Sequence, residues 1–201
     1  MPAAIQQSQM ESDRLSAIKT IDSEIRAIEE LKKSLDAESL TKALDFMQNS
    51  TGRIIITGMG KSGHIGKKIA ASLASTGTPS FFVHPAEASH GDLGMITDDD
   101  VVIAISNSGE SRELIDILNY CKRFGIKLIA ITKNQDSSLG KAGDVVLLLP
   151  NNGEACPLGL APTSSTTATL VLGDILTIRM IERKGFSKED FNDRHPGGKL
   201  G

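Results

Sequence analysis

The 201 residues include no Trp, a single Tyr (Tyr120) and an aromatic fraction of 3%. A protein that grips single-stranded nucleic acid by stacking needs a platform of aromatic faces, and this sequence has little to build one from. Positive charge is not in excess either: 22 Lys and Arg stand against 25 Asp and Glu, a net charge of −3, with a pI near 5.8. That balance argues against nucleic acid or a membrane surface as partner, since both select basic patches. An anionic ligand would need a local site, such as the backbone amides of a helix N-terminus. The two cysteines, Cys121 and Cys156, fit no metal-binding spacing and read as free thiols of a cytoplasmic protein. Residues 1–10 lack the basic start and apolar run of a signal peptide, and no apolar run approaches the length of a membrane span.

What is present is the composition of a globular protein, with 39% hydrophobic and 23% charged residues, in a chain long enough for one sizeable domain. Leu15, Ile18, Ile21, Ile25, Ile28 and Leu31 recur at spacings of three and four and predict an amphipathic helix over 12–34. Leu40, Leu44 and Met47 mark a shorter second one. Five short apolar, β-branched runs follow at 53–57, 80–83, 101–105, 127–131 and 144–148, separated by helical stretches at 65–75, 113–124 and 138–142. Strands apolar nearly throughout are strands buried on both faces, hence a parallel sheet covered by helices. A long helix is expected from Pro162 to about Arg183, with Gly185 as its stop signal. The reading is an α/β fold: a doubly wound, five-stranded parallel sheet in a three-layer, Rossmann- or flavodoxin-like sandwich, preceded by a helical hairpin. The hairpin has no evident place inside the layers and is expected to pack on the core or on a neighbouring subunit. Pro196 to Gly201 reads as a Gly-rich linker cut short.

Ligands of open α/β sheets bind beyond the carboxyl ends of the strands, so those loops carry the chemistry. Gly58-Met59-Gly60-Lys61-Ser62-Gly63 satisfies the G-x-G-x-x-G pattern of dinucleotide sites. The second strand, however, ends in His84-Pro85 rather than an acid for the ribose, and Glu87 comes late. Lys61 and Ser62 suit a single phosphate or a sugar oxygen instead. Ser106-Asn107-Ser108-Gly109-Glu110-Ser111 brings hydroxyls to the expected start of a helix and reads as a phosphate site without a basic residue; capping alone would need one Ser. In Thr163-Ser164-Ser165-Thr166-Thr167, capping and ligand contact remain equal readings. Glu154, in an otherwise uncharged loop, is expected to be shielded from water with a raised proton affinity, as suits a general base. His64, His84, His90 and His195 all fall in candidate ligand loops. Asp98-Asp99-Asp100 reads as a solvated turn.

Together, Gly58 to Gly63, the stretch His84-Pro85-Ala86-Glu87-Ala88-Ser89-His90-Gly91-Asp92, Ser106 to Ser111, Glu154 to Thr167 and His195-Pro196-Gly197-Gly198 resemble the sugar isomerase (SIS) domain of bacterial arabinose 5-phosphate isomerases, over nearly the whole chain. The resemblance implies an SIS fold over 36–201 after an N-terminal helix at 1–35. It implies reversible conversion of D-ribulose 5-phosphate to D-arabinose 5-phosphate for Kdo and lipopolysaccharide synthesis, in a cytoplasmic homotetramer with active sites shared between subunits. Carried over by position, Lys61, Glu113, Glu154 and His195 are catalytic. Ser62, Gly77, Thr78, His84, His90, Ser106, Ser108 and Ser111 bind substrate, the serines holding the phosphate. No cofactor is required, and zinc is expected at His84 only as an inhibitor. Many family members continue into tandem CBS domains, which this chain, ending at Gly201, does not contain. A non-catalytic phosphosugar-binding regulatory module and a nicotinamide dehydrogenase are the competing readings. The acidic N-terminal helices make a poor DNA-binding element for the first, and the second strand lacks the ribose-binding acid for the second.

Overall fold

The computed structural model describes residues 3–197. Strands β1 (Ile54–Gly58), β2 (Ser80–Phe82), β3 (Val101–Ile105), β4 (Lys127–Thr132) and β5 (Val145–Leu148) form one sheet in the order β2-β1-β3-β4-β5, and every neighbouring pair is parallel. Each expected strand is present, with ends differing by a residue or two. β1 and β3 are buried along their whole length, and β4 beyond its first residue. This is what their unbroken apolar texture requires. β5, at an edge, alternates in burial.

Helices cover both faces. On one, α1 (Ala3–Ser34), α2 (Ala37–Asn49), α3 (Gly60–Ser75) and α7 (Ser164–Lys184) pack over Ile54, Ile56, Ile103, Ile105, Ile129 and Ile131. On the other, α5 (Ile115–Phe124), α6 (Ser138–Ala142) and the short α4 (Pro85–Ala88) cover Ile55, Val102, Ala104, Leu128 and Ala130. The alternation of strand residues between two cores is the period-two geometry of a strand. Each fully buried Ile or Leu contributes about 2 kcal/mol.

The N-terminal hairpin packs on the core of these layers, one of the two places expected for it, although no place inside them was evident from sequence. Ala27 and Leu31 of α1, with Ala43, Leu44 and Met47 of α2, are buried in the same core as α7. Helix α1 also begins earlier than expected, at Ala3. Its apolar stripe is only partly used: Leu15, Ile18, Ile21, Ile25 and Ile28 are 37–57% exposed. Two elements were not anticipated, α4 and the C-terminal α8 (Lys188–Arg194). The latter opens with a capping box between Ser187 and Asp190. Helix α7 stops at Gly185 in the left-handed conformation, φ 62°, as its sequence predicts. The linker reading at Pro196 to Gly201 falls largely outside the described residues.

Asp100 is not part of a solvated turn. It is buried, and its carboxylate accepts bonds from the Arg53 amide (2.6 Å) and from the amide (2.8 Å) and hydroxyl (3.0 Å) of Thr97. The Arg53 guanidinium closes the arrangement at 3.4 Å.

Candidate active site

The strand order reverses between β1 and β3, where the chain leaves β1 toward β2 on one side and β3 leads to β4 on the other. An open α/β sheet forms a crevice at such a switch point. A cleft of about 130 Å³ lies there, lined by Met59, Lys61, Ser62 and Ile65 after β1, Asn107 after β3, and Pro162, Ser165, Thr166 and Thr169 around the start of α7. Met59 provides no side-chain cap to α3, so the first-turn amides of this 16-residue helix face the cleft end of the sheet with its positive dipole. The cleft is smaller than the ~300 Å³ at which small-molecule pockets begin. Two larger hollows, about 530 Å³ beside β5 and about 670 Å³ between α5 and α6, contain none of the expected site residues.

The Ser106–Ser111 loop is tightly organised. The Ser106 and Ser111 hydroxyls are 2.9 Å apart, and the Gly109 amide donates to Ser106 Oγ at 3.1 Å. Gly109 has φ 75°, and a Cβ there would meet Ser137 Oγ at 1.9 Å, so only glycine fits. Glu110 anchors the loop to α6, accepting from the Ser138 amide (2.9 Å) and hydroxyl (2.7 Å). These two bonds hold its carboxyl below the ordinary value. The loop does not open directly into a helix as expected: a 3-10 turn, Arg112–Leu114, intervenes before α5. Asn107 is the residue the sequence reading passed over. It lines the cleft, and its Oδ1 is buried without a partner. Its position between two serines was the available signal.

Glu154 differs from expectation. Its Oε2 accepts from the Thr163 amide (2.7 Å), the Thr163 hydroxyl (3.1 Å) and the Ser165 amide (3.1 Å). Partial burial pushes the carboxyl up, but the bonds from Ser165 and Thr163 outweigh it, and the group lies below its ordinary value, not above it. Of the equal readings for Thr163 to Thr167, capping by the side chain does not hold at Thr163, which occupies the N-cap position of α7 but makes no side-chain cap bond. Ser165 and Thr166 line the cleft.

Of the expected residues, Lys61 and Ser62 lie in the cleft and Glu154 is bonded to its wall. Ser106, Ser108 and Ser111 lie beside it on the Asn107 loop. Glu113 is exposed on the 3-10 turn, and His90 is exposed just after α4. His64 is not in a loop; it lies in the first turns of α3. His84, after β2, packs edge-on against Phe82 at 6.3 Å with Nδ1 buried and unpartnered. Among the described residues no group of three or more His, Cys, Asp or Glu could hold a metal ion. A lone imidazole is short of the donor set of a resident zinc.

Gly77, Thr78 and His195 are not brought to the cleft. Gly77 and Thr78 precede β2, at the amino end of the sheet. The Phe186 ring lies against Gly77, where a Cβ would meet it at 2.6 Å. Arg194 sits over that same ring at 5.0 Å, and its neighbour His195 stacks on Phe191 at 3.8 Å and bonds the Phe191 carbonyl through Nδ1 at 2.8 Å. The expected site residues therefore form two clusters separated by the height of the sheet, about 15 Å.

No helix among the described residues is long and apolar enough to cross a membrane. The SIS domain family matches residues 47–179. The chain is 57% identical over 186 residues to the arabinose 5-phosphate isomerase KdsD of Pseudomonas aeruginosa, covering 92% of this chain and 57% of that protein. It is 58% identical over 164 residues to KdsD of Salmonella typhi, covering 82% and 50%. The chain thus spans little more than half the length of these curated relatives. Among solved structures, the E. coli CFT073 protein c3406 in complex with arabinose 5-phosphate superposes with a TM-score of 0.87 at 43% identity, over 92% of this chain and 98% of that one. By sequence and by structure, this chain belongs to the SIS domain family.

Proposed function

We propose that the chain is an aldose–ketose isomerase that interconverts D-ribulose 5-phosphate and D-arabinose 5-phosphate, the latter a precursor of Kdo. The observation that carries this reading is the cleft at the strand-order reversal, where the polar side chains of Lys61, Ser62, Asn107 and Ser165 converge on one small space. The likeness to KdsD proteins and to c3406 with its bound arabinose 5-phosphate supports the choice of substrate.

The reaction removes the proton α to a carbonyl, passes through a cis-enediol(ate) and returns the proton to the neighbouring carbon. Phosphate held by the Ser106–Ser111 loop and Ser62 fixes the sugar in register, so that binding energy remote from the reacting carbons serves orientation. Lys61 stabilises the developing oxyanion. Glu113 or Glu154 moves the carbon-bound proton, and His195 relays protons between the oxygens. None of these steps calls for a cofactor, and zinc enters this reading only as an inhibitor at His84.

His195, Gly77 and Thr78 lie too far from the cleft of their own chain, so in this proposal they serve the cleft of a neighbouring subunit. The small size of the cleft and the exposed stripe of α1 support an oligomer, a homotetramer in this reading. The test is turnover of arabinose 5-phosphate to ribulose 5-phosphate by the purified chain in EDTA, with ribose 5-phosphate and glucose 6-phosphate as controls. Turnover of arabinose 5-phosphate alone is expected. Phosphosugar binding without turnover would identify a regulatory module instead.

A further inference from the structure

We propose that Glu154 is a positioning residue, a carboxylate latch that fixes the α7 wall of the cleft, and that Glu113 is the carboxylate that moves the carbon-bound proton. This rests on the isomerase reading above.

The first-turn amides of a helix have no partners within the helix. At α7 they are not satisfied by the N-cap residue itself, because Thr163 makes no side-chain cap bond. Glu154 reaches across from the preceding loop and takes the amides of Thr163 and Ser165 on one oxygen, together with the Thr163 hydroxyl. That hydroxyl in turn accepts from the Ala155 amide at 2.8 Å. Loop and helix are thus joined in both directions, and the segment 155–162 is closed at its root. A negative charge at the N-terminus of a 21-residue helix is also favoured by the helix dipole.

These bonds suit a structural cap and oppose a base. A base must gain a proton during turnover, and protonation of either oxygen would remove the charge that three donors hold. What the latch does control is the cleft: Pro162, Ser165, Thr166 and Thr169 form the wall facing Lys61 and Ser62, and Ser165 is one of the residues Glu154 holds. Movement of that wall would displace the substrate relative to Lys61, and small misplacements are costly in rate. Glu113, exposed on the turn that follows the Ser106–Ser111 loop, has no such structural duty in the bonds described.

The experiment compares variants of the whole 201-residue chain on arabinose 5-phosphate. Glu154→Gln keeps an acceptor oxygen for both amides. It is expected to lower kcat by no more than about tenfold and to leave the acidic limb of the pH profile of kcat/KM in place. Glu154→Ala loses the latch and is expected to lower kcat/KM by about 10²-fold, with Thr163→Val falling in the same direction. Glu113→Gln is expected to lose about 10³-fold in kcat. A 10³-fold loss in Glu154→Gln with a displaced acidic limb and unchanged thermal stability would overturn the proposal. Limited proteolysis within 155–162 reads the latch independently of turnover. Cleavage should quicken in Glu154→Ala but not in Glu154→Gln, and equal rates in all three proteins would overturn the latch. If the wild type is inactive while this proteolysis pattern holds, the isomerase reading has failed and the latch stands.

Discussion

At the amino ends of β1 and β3, buried Asp100 is fully engaged by the backbone and side chains of Arg53 and Thr97. At the carboxyl ends of the same two strands, the buried Oγ1 of Thr57 and Oδ1 of Asn107 have no partner, and Lys61 stands exposed at the cleft. An unpaired buried polar atom costs stability, so the two ends cannot both be built for stability alone. One end closes the fold; the other keeps hydrogen-bonding capacity for a ligand. Gly77, Thr78 and His195 complicate this division. They too lie at the amino end, and Thr78 Oγ1 is likewise buried and unpaired. The contrast between ends holds within one chain, while the proposed site is assembled from opposite ends of two.

The sharpest way to break this comparison is to remove one group from each end. Lys61→Ala should lower turnover of arabinose 5-phosphate by about 10³-fold and leave the thermal midpoint unmoved. Asp100→Ala should do the reverse, costing about 3 kcal/mol in urea unfolding while the folded fraction keeps its kcat; a loss of kcat in that fraction would erase the distinction.

Acid gives a smaller effect with a defined sign. Burial pushes the Asp100 carboxyl up, and the bonds from Thr97 and Arg53 more than offset it, so Asp100, like Glu154, sits below its ordinary value. A depressed carboxyl stabilises the fold fully above its unfolded value of about 4 and progressively less as pH falls through the depressed one. Urea midpoints should therefore hold from pH 7 to about 5 and drop below about 4, and Asp100→Asn should flatten that drop.

The thiols provide the mildest test. Cys121 is buried and its thiol is pushed up to about 12, chiefly by burial. Cys156, in the loop beside the cleft, is lowered by bonds from the amides of Ala161, Leu160 and Leu158. A disulfide reagent should modify Cys156 rapidly and Cys121 only on unfolding. Two fast thiols would mean that the helical face over β3 and β4 is looser than described.

The core strands were legible in sequence because burial on both faces leaves an unbroken apolar run, as in Ile54, Ile55 and Ile56. The loops after β1 and β3 were legible because the fold class fixes where ligands bind. Four features were not. Asp100 looks like its solvated neighbours Asp98 and Asp99, because its burial depends on Arg53, 47 residues away. The direction of Glu154's proton affinity depends on amides nine and eleven residues on, while loop composition suggested only shielding. The separation of His195 from Lys61 is set by the path of α7 from one end of the sheet to the other, and motif spacing carries no trace of it. The place of α2 in the core was hidden for a similar reason: its partners, on α7 and β5, come late in the chain.

The most direct test of the divided site is complementation. Lys61→Ala and His195→Ala variants should each be inactive alone. Unfolded together and refolded as mixed oligomers, they should regain about a quarter of wild-type turnover, the share of sites that pair an intact Lys61 with an intact His195 from a neighbour. Mixed oligomers that stay inactive, with mixing confirmed by mass, would contradict the account and return both residues to a single chain's site.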